Sequence, residues 1–207
     1  GNASSATQTM RVDTVTSVAV DGPVAGDDVV NAAEAAGGNT LTGSAQAGTT
    51  VSVTWAGSTL PATVTGGTWS VTFPAGAITS GEYASTVTVT ATDAAGNTAT
   101  ATRPVQIDTV PHPLAIDPVT ADNTVNAAET ASGFQIAGTS TPGATITVTI
   151  DGATQTATVT EGGTWAVTWP AGTLTPGEYD ATITATTTDA AGNASSATHT
   201  MRVDTVT

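Results

Sequence analysis

Carboxylates are the side chains with chemistry to offer in this 207-residue chain: 17 Asp and Glu stand against 3 basic residues, all of them Arg, for a net charge of −14. They recur in order. Asp93-Ala94-Ala95-Gly96-Asn97 returns as Asp189 to Asn193, 96 residues on, and Asn31-Ala32-Ala33-Glu34 returns as Asn126 to Glu129, 95 residues on. Asp13, Asp108 and Asp204 each sit between a Val or Ile and a Thr. Oxygen-rich sets of this kind can hold a hard divalent cation. The same residues can equally close turns, because Asp and Asn side chains hydrogen-bond their own backbone. Other chemistry finds little support. The two histidines, His112 and His199, belong to no metal or catalytic motif, and His199 falls where the other copy has Arg103. Neither a nucleophile elbow nor a phosphate-binding Gly-rich loop occurs, so no catalytic residue is assigned and an enzyme is not expected.

The elements that position these acids come from the repeat. Residues 1–7 return as 192–198, and 9–16 as 200–207, so the chain reads as a slice of a tandem array that starts and stops at the same point of its pattern. A period near 95 matches one small domain rather than a solenoid unit. The expected organisation is the last strand of a preceding repeat at 1–11, then repeats at 12–109 and 110–207, with a one-residue slip attributed to Glu161.

Composition bounds the rest. Without Lys and with an acidic excess, nucleic acid and anionic membranes are unsuitable partners. There is no Cys, and no apolar run is long enough to span a membrane. Only 4% of residues are aromatic, so each core is small.

Alternation with period two dominates and no helix is predicted. In the first repeat strands are expected at 17–20, 40–43, 51–55, 60–65, 68–73, 83–92 and 98–107, with a loop over 26–38. Seven short strands separated by turn signals predict an all-β chain of tandem seven-stranded immunoglobulin-like β-sandwiches. Tyr83 and Tyr179 open the sixth strand and suit a tyrosine corner, with a binding role as the alternative. Trp55, Trp69, Trp165 and Trp169 fall on inward registers, which favours core packing over a ligand platform.

On such a sandwich, Asp27, Asp28, Glu34 and Asp108 of the first repeat are expected at one pole, to face Asp189 and Asn193 of the next. Asp13 with Asp93 and Asn97, and the set Asp122, Glu129 and Asp204, are the corresponding groups at the other ends. Two carboxylates ~5 Å apart repel by roughly 3 kcal/mol at an effective dielectric of ~20. No Lys neutralises them, so calcium is the economical counter-ion, with turn hydrogen bonding as the competing account.

Val-Asp-Thr, Asn-Ala-Ala-Glu, Gly-Gly-Thr-Trp-Ser-Val-Thr, Gly-Glu-Tyr, Thr-Asp-Ala-Ala-Gly-Asn and Ile-Asp-Thr together resemble the bacterial immunoglobulin-like repeats of giant secreted RTX-type and biofilm-associated adhesins. The resemblance covers the whole chain. It implies display outside the cell, a stalk of many repeats with neighbouring repeats as partners, and calcium at the junctions, placed at Asp108 with Asp189 and at Asp13 with Asp93. The Pro-rich linker Val110-Pro111-His112-Pro113 departs from the Asp-Thr-Val-Thr found elsewhere. Two other functions remain open. Residues 1–11 could add as a strand to another copy of the chain, and exposed aromatics could bind carbohydrate.

Overall fold

The computed structural model describes residues 3–206. The chain divides into two compact units, Gly1–Thr109 and Val110–Thr207. Each has its own apolar core.

In the first unit the strands are β1 (Val18–Val20), β2 (Val29–Val30), β3 (Asn39–Ala45), β4 (Thr50–Trp55), β5 (Ser58–Thr65), β6 (Thr68–Phe73), β7 (Glu82–Thr92) and β8 (Thr98–Asp108). A short helix α1 (Ala32–Gly37) lies between β2 and β3. The hydrogen-bonded order is β1-β3-β6-β5-β4-β7-β8-β2. It is unbroken because β5 serves both layers: Ser58 to Ala62 pair with β4, and Thr63 to Thr65 pair with β6. Gly66 and Gly67, both at positive φ, close the turn into β6, a conformation that costs glycine nothing sterically.

The second unit repeats this with β9 (Leu114–Ile116), β10 (Thr124–Asn126), α2 (Ala127–Ser132), β11 (Phe134–Ser140), β12 (Thr145–Ile150), β13 (Ala153–Thr158), β14 (Thr164–Trp169), β15 (Glu178–Thr188) and β16 (Ala194–Asp204). Here the layers are separate sheets, β10-β16-β15-β12-β13 and β14-β11-β9. The shorter β13 pairs with β12 alone, since it ends before it could reach β14 as β5 reaches β6.

The seven expected strands are present, and among the described residues each unit adds one more, a two- or three-residue strand (β2, β10) that runs parallel to the last one. One expectation needs correction: the predicted loop over 26–38 also holds a helix. Its signal was in plain view: in Asn31-Ala-Ala-Glu34, Asn31 Oδ1 accepts from Glu34 N at 3.0 Å and Asn31 N donates to Glu34 Oε2 at 3.0 Å. Asn126 and Glu129 form the same reciprocal cap on α2. Six residues, fewer than two turns, are too few to show a 3.6-residue period, so only the cap could announce the helix.

Alternation packs the cores. Trp69, Val71 and Phe73 of β6 face inward, as do Val51, Val53 and Trp55 of β4 and Val87, Val89 and Ala91 of β7. The four tryptophans are 1–2% exposed, which removes them from any ligand platform. Residues 3–17 carry no strand and are largely exposed, with Met10 at 79% and Val12 at 71%, although their copies Met201 and Val203 in β16 are fully buried. The same sequence is a strand only where a ladder partner (β15, for β16) is present. Gly1 and Asn2 of the predicted strand lie outside the described residues, as does Thr207. Among the described residues no helix is long and apolar enough to cross a membrane.

Candidate metal-binding poles

The turn between β7 and β8 is organised by one carboxylate. Asp93 Oδ1 accepts from Ala95 N and Asn97 N, both at 2.9 Å, and Asp93 Oδ2 accepts from Asn97 Nδ2 at 2.8 Å. The same Asn97 Nδ2 donates to the main-chain oxygen of Asp13 at 3.0 Å. An Asp13 oxygen and an Asp93 oxygen therefore converge on one amide, 84 residues apart in sequence between Asp13 and Asn97. In the second unit Asp189 takes Asn193 N at 2.8 Å and Asn193 Nδ2 at 2.9 Å, and Asn193 is buried.

These bonds act on the acids. The Asn97 amide, with backbone N–H groups behind it, holds Asp93 below the usual carboxylate range. At Asp189 burial pushes upward, and the Asn193 side chain and backbone outweigh it, so the net direction is down. Asp122 is lowered by Thr124 N–H and by the Thr120 hydroxyl. Carboxylates depressed in the folded state stabilise it above their unfolded pKa of ~3.9 and lose that contribution as pH falls through the folded value. Thermal melts are accordingly expected to hold a level midpoint from neutrality down to about pH 4 and to fall below it. A loss beginning near pH 6 would point to histidine instead.

The opposite pole is set by strand register. Glu82 pairs with Asp108 across β7 and β8, and Glu178 pairs with Asp204 across β15 and β16. Asp204 also faces Asn126 of β10 on its other side. Glu82 and Glu178 belong to the Gly-Glu-Tyr marker and were not expected as pole residues. Only the pairing register, which sequence spacing does not reveal, puts them opposite the linker acids. Arg202 forms ion pairs with Glu178 and, at 3.4 Å, with Asp180.

Other predicted ligands are engaged elsewhere. Asp28 accepts from Arg103 Nε at 2.6 Å and Nη2 at 2.5 Å, and from Val24 N at 2.9 Å; the guanidinium holds its carboxyl below the usual range. Asp28 precedes Val29, which pairs with Gln106. It therefore stands about three residues, roughly 10 Å, short of Asp108 along the strand. Asp27 Oδ1 accepts from Val29 N at 2.9 Å. The Glu34 and Glu129 carboxylates close their own helix caps. Asp122 Oδ1 accepts from Thr120 Oγ1 at 2.9 Å and Thr124 N at 3.1 Å. Among the described residues Asp27, Asp28, Glu34 and Asp108 thus do not gather as one metal-holding cluster: Asp28 is taken by Arg103 opposite the middle of β8, Asp27 by its own turn and Glu34 by its helix cap.

The tyrosines diverge. Tyr83 Oη donates to Thr79 O at 2.8 Å, closing a corner four residues back. Tyr179 Oη donates to Asp151 Oδ2 at 2.7 Å, and its pKa is pushed up to about 12, by burial first and then by Asp151. The contribution of a group raised in this way is present below its unfolded pKa and is lost as pH rises from ~10 through the folded value.

Among the described residues no group of three or more His, Cys, Asp or Glu side chains is gathered tightly enough to hold a metal ion. The set of Asp13 main-chain and Asp93 carboxylate oxygens, which the Asn97 amide nitrogen bridges, is of the hard donor type calcium takes. It is short of the roughly six to eight ligands a full shell needs, so water or further oxygens would complete it.

The bacterial Ig-like domain family model matches residues 22–109 and 119–205. Among solved structures, one from a 1.5-MDa bacterial ice-binding adhesin, described for its host cell surface retention, is 30% identical over 95% of this chain and 67% of its own, with a TM-score of 0.55. Another, a Ca2+-stabilized adhesin that helps an Antarctic bacterium reach out and bind ice, is 32% identical over 96% of this chain, with a TM-score of 0.55. The chain spans about half of that second structure, 51%. No curated protein matches the chain. With both units matched, the chain belongs to the bacterial Ig-like domain family and carries two tandem copies of its fold.

Proposed function

We propose that this chain is a spacer segment of a bacterial cell-surface adhesin, displayed outside the cell, whose sandwiches extend a stalk that serves adhesion or biofilm formation. The observation that carries this reading is the tandem pair of family domains, alike over almost the whole chain to a Ca2+-stabilized adhesin. Each last strand is 11 residues long, which gives roughly 36 Å of reach per copy. Reach then grows with copy number, and neighbouring copies are the partners.

Calcium is the finer part of the proposal. Asp13 would offer its main-chain oxygen and Asp93 its carboxylate; Asn97, whose amide nitrogen now donates to both, would turn its amide over to offer the oxygen. Bound there, the ion would neutralise carboxylates that no lysine can. Asp108 and Asp189 occupy the same places in the repeat as Asp13 and Asp93, and the reading extends to them by that equivalence. Melting temperature and small-angle scattering, with calcium and with a chelator, test it. Calcium is expected to raise the melting temperature and lengthen the particle, and Asp93→Ala is expected to weaken both effects. Identical melts and scattering in the two conditions reject calcium and leave the spacer reading in place.

A second reading, assembly between copies by strand addition, is favoured by the exposure of Met10 and Val12. It predicts weaker self-association once residues 1–11 are removed; unchanged sedimentation rejects it.

A further inference from the structure

Segments 1–16 and 192–207 differ at one position, Gln8 against His199. Arg103 takes that place in the first unit. An array of such similar copies offers every sandwich several candidate last strands. The exposed Met10 and Val12, buried as Met201 and Val203 in β16, show that the segment has the side chains to fill such a slot.

The variable position is the one that reaches across to the chain entering β2 or β10. In the first unit Arg103 grips Asp28 through two nitrogens. In the second His199 Nε2 lies 2.7 Å from Asn123 Oδ1, and Asn123 Nδ2 donates to Thr200 O at 2.9 Å. Asp28 and Asn123 are structural equivalents. Both have positive φ, 67° and 59°, and their carbonyls accept from Gln106 N at 2.8 Å and Arg202 N at 3.0 Å. The pairing is thus a carboxylate with a guanidinium in one copy and an amide with an imidazole in the other, on the same backbone frame.

A third difference travels with the pair. Asp21 aligns with Asp117 at a spacing of 96 and Asp27 with Asp122 at 95, because Gly22 has no counterpart in the second copy. A Cβ on Gly22 would lie 1.9 Å from Arg103 Cζ. The extra glycine is therefore the space the guanidinium occupies. The histidine copy needs no such space and lacks the residue.

We infer that Asp28–Arg103 with Gly22, and its counterpart Asn123–His199, form a recognition element by which each sandwich selects its own last strand over that of another copy. A histidine or glutamine strand in the first unit leaves Asp28 without its bidentate partner. An arginine strand in the second meets an amide that cannot balance its charge, and finds no Gly22 gap.

The full chain tests this with Arg103→His, Asp28→Asn, the double variant and Gly22→Ala. Hydrogen exchange read by mass spectrometry separates β8 from β16, and light scattering after refolding at high concentration gives the fraction of strand-exchanged dimer. Each single change, Gly22→Ala included, is expected to speed β8 exchange about tenfold and leave β16 unaltered. The double variant should return β8 protection to within about threefold of the parent. It should nevertheless form several times more dimer, since both sandwiches then accept the same type of strand. If Arg103→His leaves the first unit unfolded, Gly22→Ala, which keeps both charged groups, decides the point. β8 exchange unchanged in Gly22→Ala, or a double variant with the parent's dimer fraction, overturns the inference.

Discussion

Gly43→Ala is expected to lower the melting temperature of the first unit by more than about 10 °C while the second unit melts as before. A Cβ at Gly43 would stand 2.1 Å from Ala19 O and 2.5 Å from Trp69 Cε2 and Cζ2. None of these can move cheaply. Ala19 belongs to β1, only three residues long, whose ladder partner is β3. Trp69 is 1% exposed and donates Nε1–H to Ala19 O at 3.0 Å. One methyl group thus either lifts β1 from the sheet or drives the indole off its acceptor. Overpacking a core costs about 1–3 kcal/mol, and the clash with main-chain oxygen places this change at or above the upper end. Gly138 is the same position in the second unit, with Ala115 O at 2.0 Å and Trp165 Cζ2 at 2.5 Å. Gly138→Ala should reverse the pattern, unfolding the second unit first. Two-transition calorimetry reads both, and a Gly43→Ala shift below about 2 °C would show that β1 adjusts freely.

Trp55→Ala is expected to destabilise the first unit by about 3–5 kcal/mol, against the roughly 5–15 kcal/mol that holds a small domain together. Trp55 is 1% exposed and meets Phe73 edge to face, with centroids 5.4 Å apart and planes at 80°. Alanine removes both the filling of the core and that aromatic contact. Trp55→Phe should cost far less, below about 1.5 kcal/mol, because Trp55 Nε1 is buried with no hydrogen-bond partner and its loss offsets part of the missing volume. Urea unfolding followed by fluorescence separates the two variants, and equal losses would reject the packing account. The burial also bears on function. Loss of any binding in Trp55→Ala would report unfolding, so this tryptophan cannot serve as a probe of a carbohydrate platform.

Legibility followed the length scale of the interaction. The alternation in β4, β6 and β7 survives folding residue by residue because side chains on a strand point alternately in and out whatever the strand's neighbours. The bridging role of β5 did not show. Its second half looks like any polar edge, and whether it joins β6 depends on the bend of the sheet. The pole acids divide in the same way. Asp93 with Asn97 is a local turn and could be read directly. The convergence of Asp13 on Asn97 spans 84 residues, yet the repeat anticipated it, because residue 13 stands in the linker that enters the unit. Asp28 was misplaced, since its partner Arg103 lies 75 residues away and nothing in the spacing announces that β2 runs parallel to β8. Setting Arg103 against His199 as unlike residues hid their shared task, which appears once Asp28 and Asn123 stand opposite them.

The amino-acid sequence by itself determined the period, the all-β character, the inward registers and the acidic junction composition, because each depends on residue type at fixed local spacing. Tertiary structure alone decided which carboxylates are spent on a helix cap or on Arg103, which face each other across a strand pair, and which remain at the pole with Asn97. These outcomes turn on strand register and on a parallel pairing of two or three residues. A shift of one residue there carries a side chain to the other face of the sheet, and no local propensity encodes it.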